Sequence, residues 1–99
     1  MIWVFIVSDR FERKIYLSEE RWNHIIYEHP DVSEKLYEIE DIIKNPLIII
    51  TDEDDESVKY YYKYYKHMKQ KAKYLMVAVR YLNGEGYIIT SFYTDKIRK

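Results

Sequence analysis

Cysteine is absent from this 99-residue chain, and glycine and proline occur only twice each. Without cysteine there is no disulfide framework and no thiolate metal site. Two glycines leave no room for a glycine-rich phosphate loop, and no segment reads as a nucleophile elbow. Long hydrophobic runs are missing as well. The apolar start, Met1 to Val7, is broken by Asp9 and Arg10. It is too short to cross a membrane, and it has neither the basic lead-in nor the small-residue cleavage site of a signal peptide. The expectation is a cytoplasmic protein with no membrane association. Metal-ligand spacing is also lacking. His24 and His29 stand five apart, which puts the rings on different helix faces, unlike an HExxH pair. The acidic run Asp52 to Glu56 lacks the glycine and closing glutamate of an EF-hand loop, and reads as a solvated loop. No metal and no cofactor are expected.

What is present describes a folded domain. Hydrophobic residues make up 47% of the chain and charged residues 33%, a balance that separates it from disordered sequences. Ninety-nine residues sustain one modest core, so residues 1–99 are expected to form a single domain. The net charge of −1 hides a strong asymmetry. Residues 1–56 hold 15 acidic and 6 basic side chains, whereas residues 57–99 hold 2 acidic and 10 basic ones. Such polarity can mean a basic face that meets phosphate, or two halves that neutralise each other across the fold.

The chain reads as ββααββββ. Ile2–Val7 and Lys14–Leu17 form a short hairpin around the polar turn at residues 9–13. Ser18 is an N-cap, with Glu19 and Glu20 suiting the first turn of a helix. Trp22, Ile25, Ile26 and His29 share one face of that helix, which Pro30 ends. Asp31 and Glu34 resemble a capping box for a second helix, which carries Val32, Leu36, Ile39, Ile42 and Ile43 inward and stops at Asn45-Pro46. A short strand spans 47–51, and longer ones span Val58–Lys66, Tyr74–Tyr81 and Tyr87–Thr94. A basic loop containing His67 joins the first two of these, and Asn83-Gly84-Glu85-Gly86 is a hairpin turn between the last two. In the middle strand Leu75, Val77, Val79 and Tyr81 share one face, and Tyr74, Met76, Ala78 and Arg80 the other. The expected fold class is α+β: an N-terminal short hairpin and two helices packed on a four-stranded antiparallel β-meander.

The segment from Lys59 to Lys66 alternates tyrosine with lysine, setting Lys59, Tyr61, Lys63 and Tyr65 on one face. Phenols beside ammonium groups suit RNA, because bases stack on aromatic rings and lysines neutralise phosphates. Tyrosine is equally a good strand former, and lysine protects an edge strand from mispairing. His24 lies on the polar side of the first helix near Arg21 and Glu28. His29 lies on the apolar stripe in the last turn. Each is a surface or capping residue, or else a general acid or base at neutral pH. Metal-free RNA cleavage needs a base for the ribose 2′-OH, an acid for the leaving 5′-oxygen and cations for the phosphate. Arg80 is a candidate cation, since it sits on the strand face that the apolar set leaves. In the last strand Thr90 and Thr94 share one face, Ser91 and Tyr93 the other.

A family pattern runs through these elements. Its blocks are Leu17 to Ile25 with Glu28-His29-Pro30, then Asn45-Pro46 before a strand, then Tyr61-Tyr62-Lys63. The segments Tyr74 to Val79 and Ile88 to Lys96 complete it. In this order the blocks resemble the small phage- and mobile-element-associated nuclease-like domains of the barnase/EndoU/colicin/RelE group (the BECR fold), from about residue 14 to 98. The resemblance implies a metal-independent endoribonuclease, often a toxin that cleaves tRNA or mRNA by 2′-OH attack. It maps the histidine-bearing helix onto His24 and His29, the basic strand position onto Lys63, and the final-strand element onto Thr90, Tyr93 and Thr94. Glu28 departs from the pattern, because a basic residue is expected there. The expected site is therefore His24, His29, Arg80, Thr90 and Tyr93 for catalysis. Lys63, Tyr61, Tyr65, Lys59, Lys96 and Thr94 are expected to bind RNA. An antitoxin- or immunity-type protein or a second copy of the chain are further expected partners. The rivals are a non-catalytic RNA-binding module and a protein-interaction domain.

Overall fold

The computed structural model describes residues 1–65 and 73–98. The basic loop with His67, and Lys66 before it, lie outside these residues. Two strands, β1 (Trp3–Ser8) and β2 (Lys14–Ser18), lead into helix α1 (Glu19–Glu28). A 3-10 turn at Pro30–Val32 precedes helix α2 (Leu36–Lys44), and strands β3 (Ile48–Thr51), β4 (Val58–Tyr64), β5 (Tyr74–Leu82) and β6 (Glu85–Thr94) follow.

The Ser18 hydroxyl accepts from the Arg21 backbone N–H and caps α1, satisfying a donor that the first turn leaves unpaired. The second helix starts later than its sequence suggests. Asp31 enters the 3-10 turn instead, and α2 begins after Lys35 with no side-chain cap. Pro30 at the start of the 3-10 turn fixes φ, which suits that tight turn and uses up the capping-box residues.

The sheet has six strands in the order β1-β2-β6-β5-β4-β3. Strands β3 to β6 form the expected antiparallel meander. The N-terminal hairpin does not stand apart from it. Strand β2 joins β6 in parallel through Ile15–Gly86 and Tyr16–Tyr87, which makes the sheet mixed. Gly86 is what allows this approach. A Cβ there would lie 2.5 Å from Ile15 Cδ1 and 2.8 Å from Val79 Cγ1. The β5–β6 hairpin turns through Asn83 and Gly84, whose φ values are 55° and 80°. Both central residues in the left-handed region mark the turn type that matches strand twist.

Both helices cover one sheet face. Trp22, Ile25, Val32, Ile39, Ile42 and Ile43 pack there on Ile15, Leu17, Tyr61, Leu75, Val77 and Val79. The opposite face carries a second, smaller cluster in which Tyr62, Met76 and Ala78 are buried by Tyr60, Tyr74, Ile89, Phe92 and Ile97. Between Ala78 and Val79 the register shifts, so that Val79 faces Ile88, Ala78 faces Thr90, and Ile89 is the extra residue. Such a bulge re-aims side chains. Here it leaves Ile89 and Thr90 together at grooves on the second face.

Candidate functional site

Strand alternation divides the expected residues between the two faces. The face under the helices takes Lys59, Tyr61, Lys63 and Tyr65. Tyr61 is fully buried and its hydroxyl meets that of Tyr81, so no base can stack on it. Lys63 Nζ pairs with Asp41 Oδ2 of α2 at 2.5 Å, and that hydrogen bond holds the Asp41 carboxyl below its ordinary pKa. Tyr65 packs against the same core, and burial beside Asp41 raises its phenol pKa. Lys59 donates to Thr51 Oγ1 and to the Glu56 carbonyl. The Tyr/Lys alternation thus supplies core rings, one ion pair and a lysine hydrogen-bonded to its own sheet edge on this face. Part of the charge polarity is neutralised across the fold, as Lys63–Asp41 and the 3.7 Å contact of Arg80 with Asp55 illustrate.

Tyr93 also lies on the helix side, opposite Leu75. Burial, with the Glu38 and Asp31 carboxylates nearby, pushes its phenol up to about 12. It therefore stays protonated at neutral pH. Thr94 and Lys96 close the strand end on each other: the Thr94 hydroxyl accepts from the Lys96 N–H and donates to its carbonyl.

The second face brings Arg80 and Thr90 together. Both line a groove of about 270 Å³ with Asp52, Asp55, Tyr60, Phe92 and Arg98. Arg98 returns over this face, its guanidinium 4.5 Å from the Tyr60 ring centre and its backbone N–H donating to the Tyr62 hydroxyl. The Tyr60 hydroxyl donates to Asp52 Oδ1. That bond lowers the Asp52 pKa and raises that of Tyr60. Asp52 and Asp55 also accept backbone N–H groups of their own loop, so the acidic run is a hydrogen-bonded rim of the groove as well as a solvated loop.

A second cleft of about 540 Å³ adjoins the first and shares Arg80 and Ile89 with it. It opens where β2 stops pairing with β6 and turns into α1, between Ser18 and Arg21 on one side and Ile88 and Ile89 on the other. Tyr16 and Tyr87 stack across its floor with ring centres 5.2 Å apart, and Trp3 leans on Tyr16 at 4.9 Å. The Tyr16 hydroxyl donates to Glu85, which raises the phenol's pKa.

The histidines separate. His24 Nε2 sits 2.8 Å from Glu28 Oε1 on the outer side of α1, beside a different surface depression. His29 is the C-cap of α1, its N–H donating to the Ile25 carbonyl, and its ring lies 5.1 Å from that of Phe92. Phe92 is two residues from Thr90 along β6, on the same face, roughly 7 Å along a strand. His29 thus packs against Phe92, a lining residue of the groove, without lining the groove itself. His24, Lys63 and Tyr61 do not meet Arg80 and Thr90.

Sequence reasoning passed over Trp3, Tyr16, Arg21, Tyr87, Phe92 and Arg98. Alternation alone could have flagged Arg80 and Tyr87 as cross-strand neighbours in the hairpin. The parallel partner that adds Tyr16 had no local signal.

No curated protein and no solved structure was found to match the chain. A family model does: "phage-Barnase-EndoU-ColicinE5/D-RelE like nuclease2" matches residues 4–99. With nearly its whole length covered, the chain belongs to this family of nuclease-like domains.

Proposed function

We propose that the chain is a metal-independent endoribonuclease acting on single-stranded RNA, as tRNA or mRNA segments, through the groove on the second sheet face. The observation that carries this reading is the placement of Arg80, Thr90 and Arg98 along one groove, with His29 packed against Phe92, another of its lining residues. Arg80 and Arg98 hold the scissile phosphate, and Thr90 orients it. The 2′-oxygen forms its bond to phosphorus as its proton passes to the base, and the bond to the 5′-oxygen breaks as that oxygen is protonated. The products are a cyclic phosphate and a free 5′-hydroxyl. His29 is the proton carrier, and Tyr93, half-buried on the helix side of the sheet, stays protonated outside the groove. Used as a toxin, such an enzyme would need a protein partner that covers the groove.

The test is incubation of the pure protein with tRNA and a synthetic oligoribonucleotide in EDTA. Cleavage should persist and should fall by about 100-fold or more in His29→Ala, the lower bound for losing a general acid–base. His24→Ala, turned outward onto Glu28, should cut like the wild type. Intact RNA, or equal cutting by wild type and His29→Ala, would sink the reading.

One observation favours a second reading: the residues lining the Arg80 groove include no histidine. A non-catalytic RNA-binding module would bind the same oligonucleotide, weaken steeply as salt rises, and leave it whole.

A further inference from the structure

We propose that the cleft between β2, β6 and α1 is a nucleotide pocket that selects the base beside the cleaved bond. It would stack one purine on the Tyr16–Tyr87–Trp3 aromatics and hold its phosphate between Arg21 and Arg80. The inference rests on the reading of the adjoining groove as the path of the RNA backbone, because Arg80 lines both cavities.

Three features point to this ligand class. The first is the floor. Tyr16 and Tyr87 occupy directly paired positions on β2 and β6, and Arg80 is the partner of Tyr87 on β5. One cross-strand row therefore sets two aromatic rings and a guanidinium side by side. The Tyr16 and Tyr87 planes lie within 15° of each other, and Tyr87 and Trp3 remain 38% and 37% exposed. Rings already stacked and wet on one side offer a ready surface for a base. The Tyr16–Glu85 hydrogen bond fixes one of them, so little side-chain freedom is lost on binding.

The second feature is charge. The lining includes two arginines, Arg21 and Arg80, and no carboxylate. The first 56 residues are rich in acid, yet none of those groups lines this cleft. Arg21 makes no ion pair among the described residues, and Arg80 has only the long 3.7 Å contact with Asp55 and is 58% exposed. The third feature is size: about 540 Å³ lies within the range that pockets for small ligands span, ~300–1,000 Å³. An apolar peptide would leave both guanidiniums unmatched, whereas a nucleotide uses the rings and the charges together.

The chain's two tryptophans make the test direct. Trp3 lines the cleft, while Trp22 is in the core and only 8% exposed. Titrating the full chain with adenosine 5′-monophosphate should quench Trp3 fluorescence saturably. Trp22→Phe should keep that response and Trp3→Phe should abolish it. Tyr87→Ala and Arg21→Ala should each weaken binding by about fivefold or more, the lower end for one lost base stack or phosphate contact. Tyr87→Phe, which keeps the ring, should bind like the wild type and guards against a folding defect. Adenosine without phosphate and uridine 5′-monophosphate should both bind more weakly than the purine nucleotide. The proposal is overturned if quenching does not saturate, or if it is unchanged in both Tyr87→Ala and Arg21→Ala. It is also overturned if adenosine binds as well as its monophosphate. A 5′-mononucleotide has no internucleotide phosphodiester for a 2′-hydroxyl to attack, so these outcomes are independent of RNA cleavage. Binding without any nuclease activity would remove only the cleavage reading.

Discussion

At the scale of single residues, the most constrained group is Asp9. It is 5% exposed and accepts from the backbone N–H groups of Phe11 and Arg13, from Arg13 Nε and from the Tyr81 hydroxyl. Arg13 also lies over the Tyr81 ring at 3.9 Å. Burial alone would raise the Asp9 pKa, but these hydrogen bonds outweigh it and hold the carboxyl below its ordinary value. A depressed folded pKa stabilises the fold above the unfolded value of about 4, and that contribution is lost as pH falls through the folded one. Asp9→Asn should therefore cost about 2–3 kcal/mol at pH ~7, because it leaves Arg13 with a weakened partner. Urea titrations should show the gap between wild type and Asp9→Asn narrowing as pH drops below ~4. A gap that widened in acid would contradict the assignment. The Lys63–Asp41 pair obeys the same sign but is partly solvated. Lys63→Met should lower stability by at most about 1 kcal/mol at neutral pH, and by less in acid. A thermal melt at the two pH values would show it. Neither role was visible beforehand. Asp9 reads as a turn residue and Lys63 as a phosphate contact until the chain places Tyr81 over one and α2 over the other.

At the scale of elements, the joint between β2 and β6 is the point on which both cavities depend. It consists of only two paired positions, and Gly86 makes the closest approach. Gly86→Ala should cost about 1–3 kcal/mol, since the new methyl would overlap Ile15 and Val79 in a packed core. It should also loosen the Tyr16–Tyr87 stack, so nucleotide quenching of Trp3 should weaken in parallel with the loss in denaturant midpoint. Gly84 acts through its backbone. With φ at 80° and open space where its Cβ would be, Gly84→Ala should cost about 1 kcal/mol from conformation alone. The two glycines thus separate steric from dihedral penalties in one hairpin. Element identity was largely legible: periodicity placed α1 and the meander strands, and Asn83-Gly84 placed the turn. The start of α2 was not, because Asp31 and Glu34 satisfy a capping-box pattern locally while Pro30 favours a 3-10 turn.

At the scale of the whole molecule, charge and topology combine. No helix among the described residues is long and apolar enough to cross a membrane. Among the described residues, the cationic groups lining the two cavities are Arg21, Arg80 and Arg98, drawn from α1, β5 and the segment after β6. If single-stranded RNA follows the two cavities, these three arginines make about three phosphate contacts, each releasing counterion. The plot of log binding constant against log salt should then fall with a slope near −2, at ~0.7 per contact. Arg98→Ala should make that slope shallower by about 0.7 without changing base preference. Filter binding over a salt series would check both. A slope near zero would mean that the face does not carry the backbone.

What the chain determines locally is its set of elements: a capped amphipathic helix, alternating strands and a two-residue hairpin turn. Each rests on interactions within a few residues. The two-sided pattern of β5, with Leu75, Val77 and Val79 opposed to Met76, Ala78 and Arg80, was equally readable. Tertiary structure decided the rest. In β4 both faces carry tyrosines, with Lys59 and Lys63 on one face and no lysine on the other, and the helices cover the lysine-bearing set, which the local pattern would leave to solvent. That choice followed from registering β4 against β5, and it turned Tyr61 and Lys63 inward. The parallel docking of β2 on β6 joins residues some seventy positions apart, for which the intervening sequence has no local preference. It satisfies the hairpin's apolar side by burying Ile15 and Leu17 under the helices. The same docking sets Tyr16 beside Tyr87 and Arg80, and that neighbourhood exists only in the folded sheet.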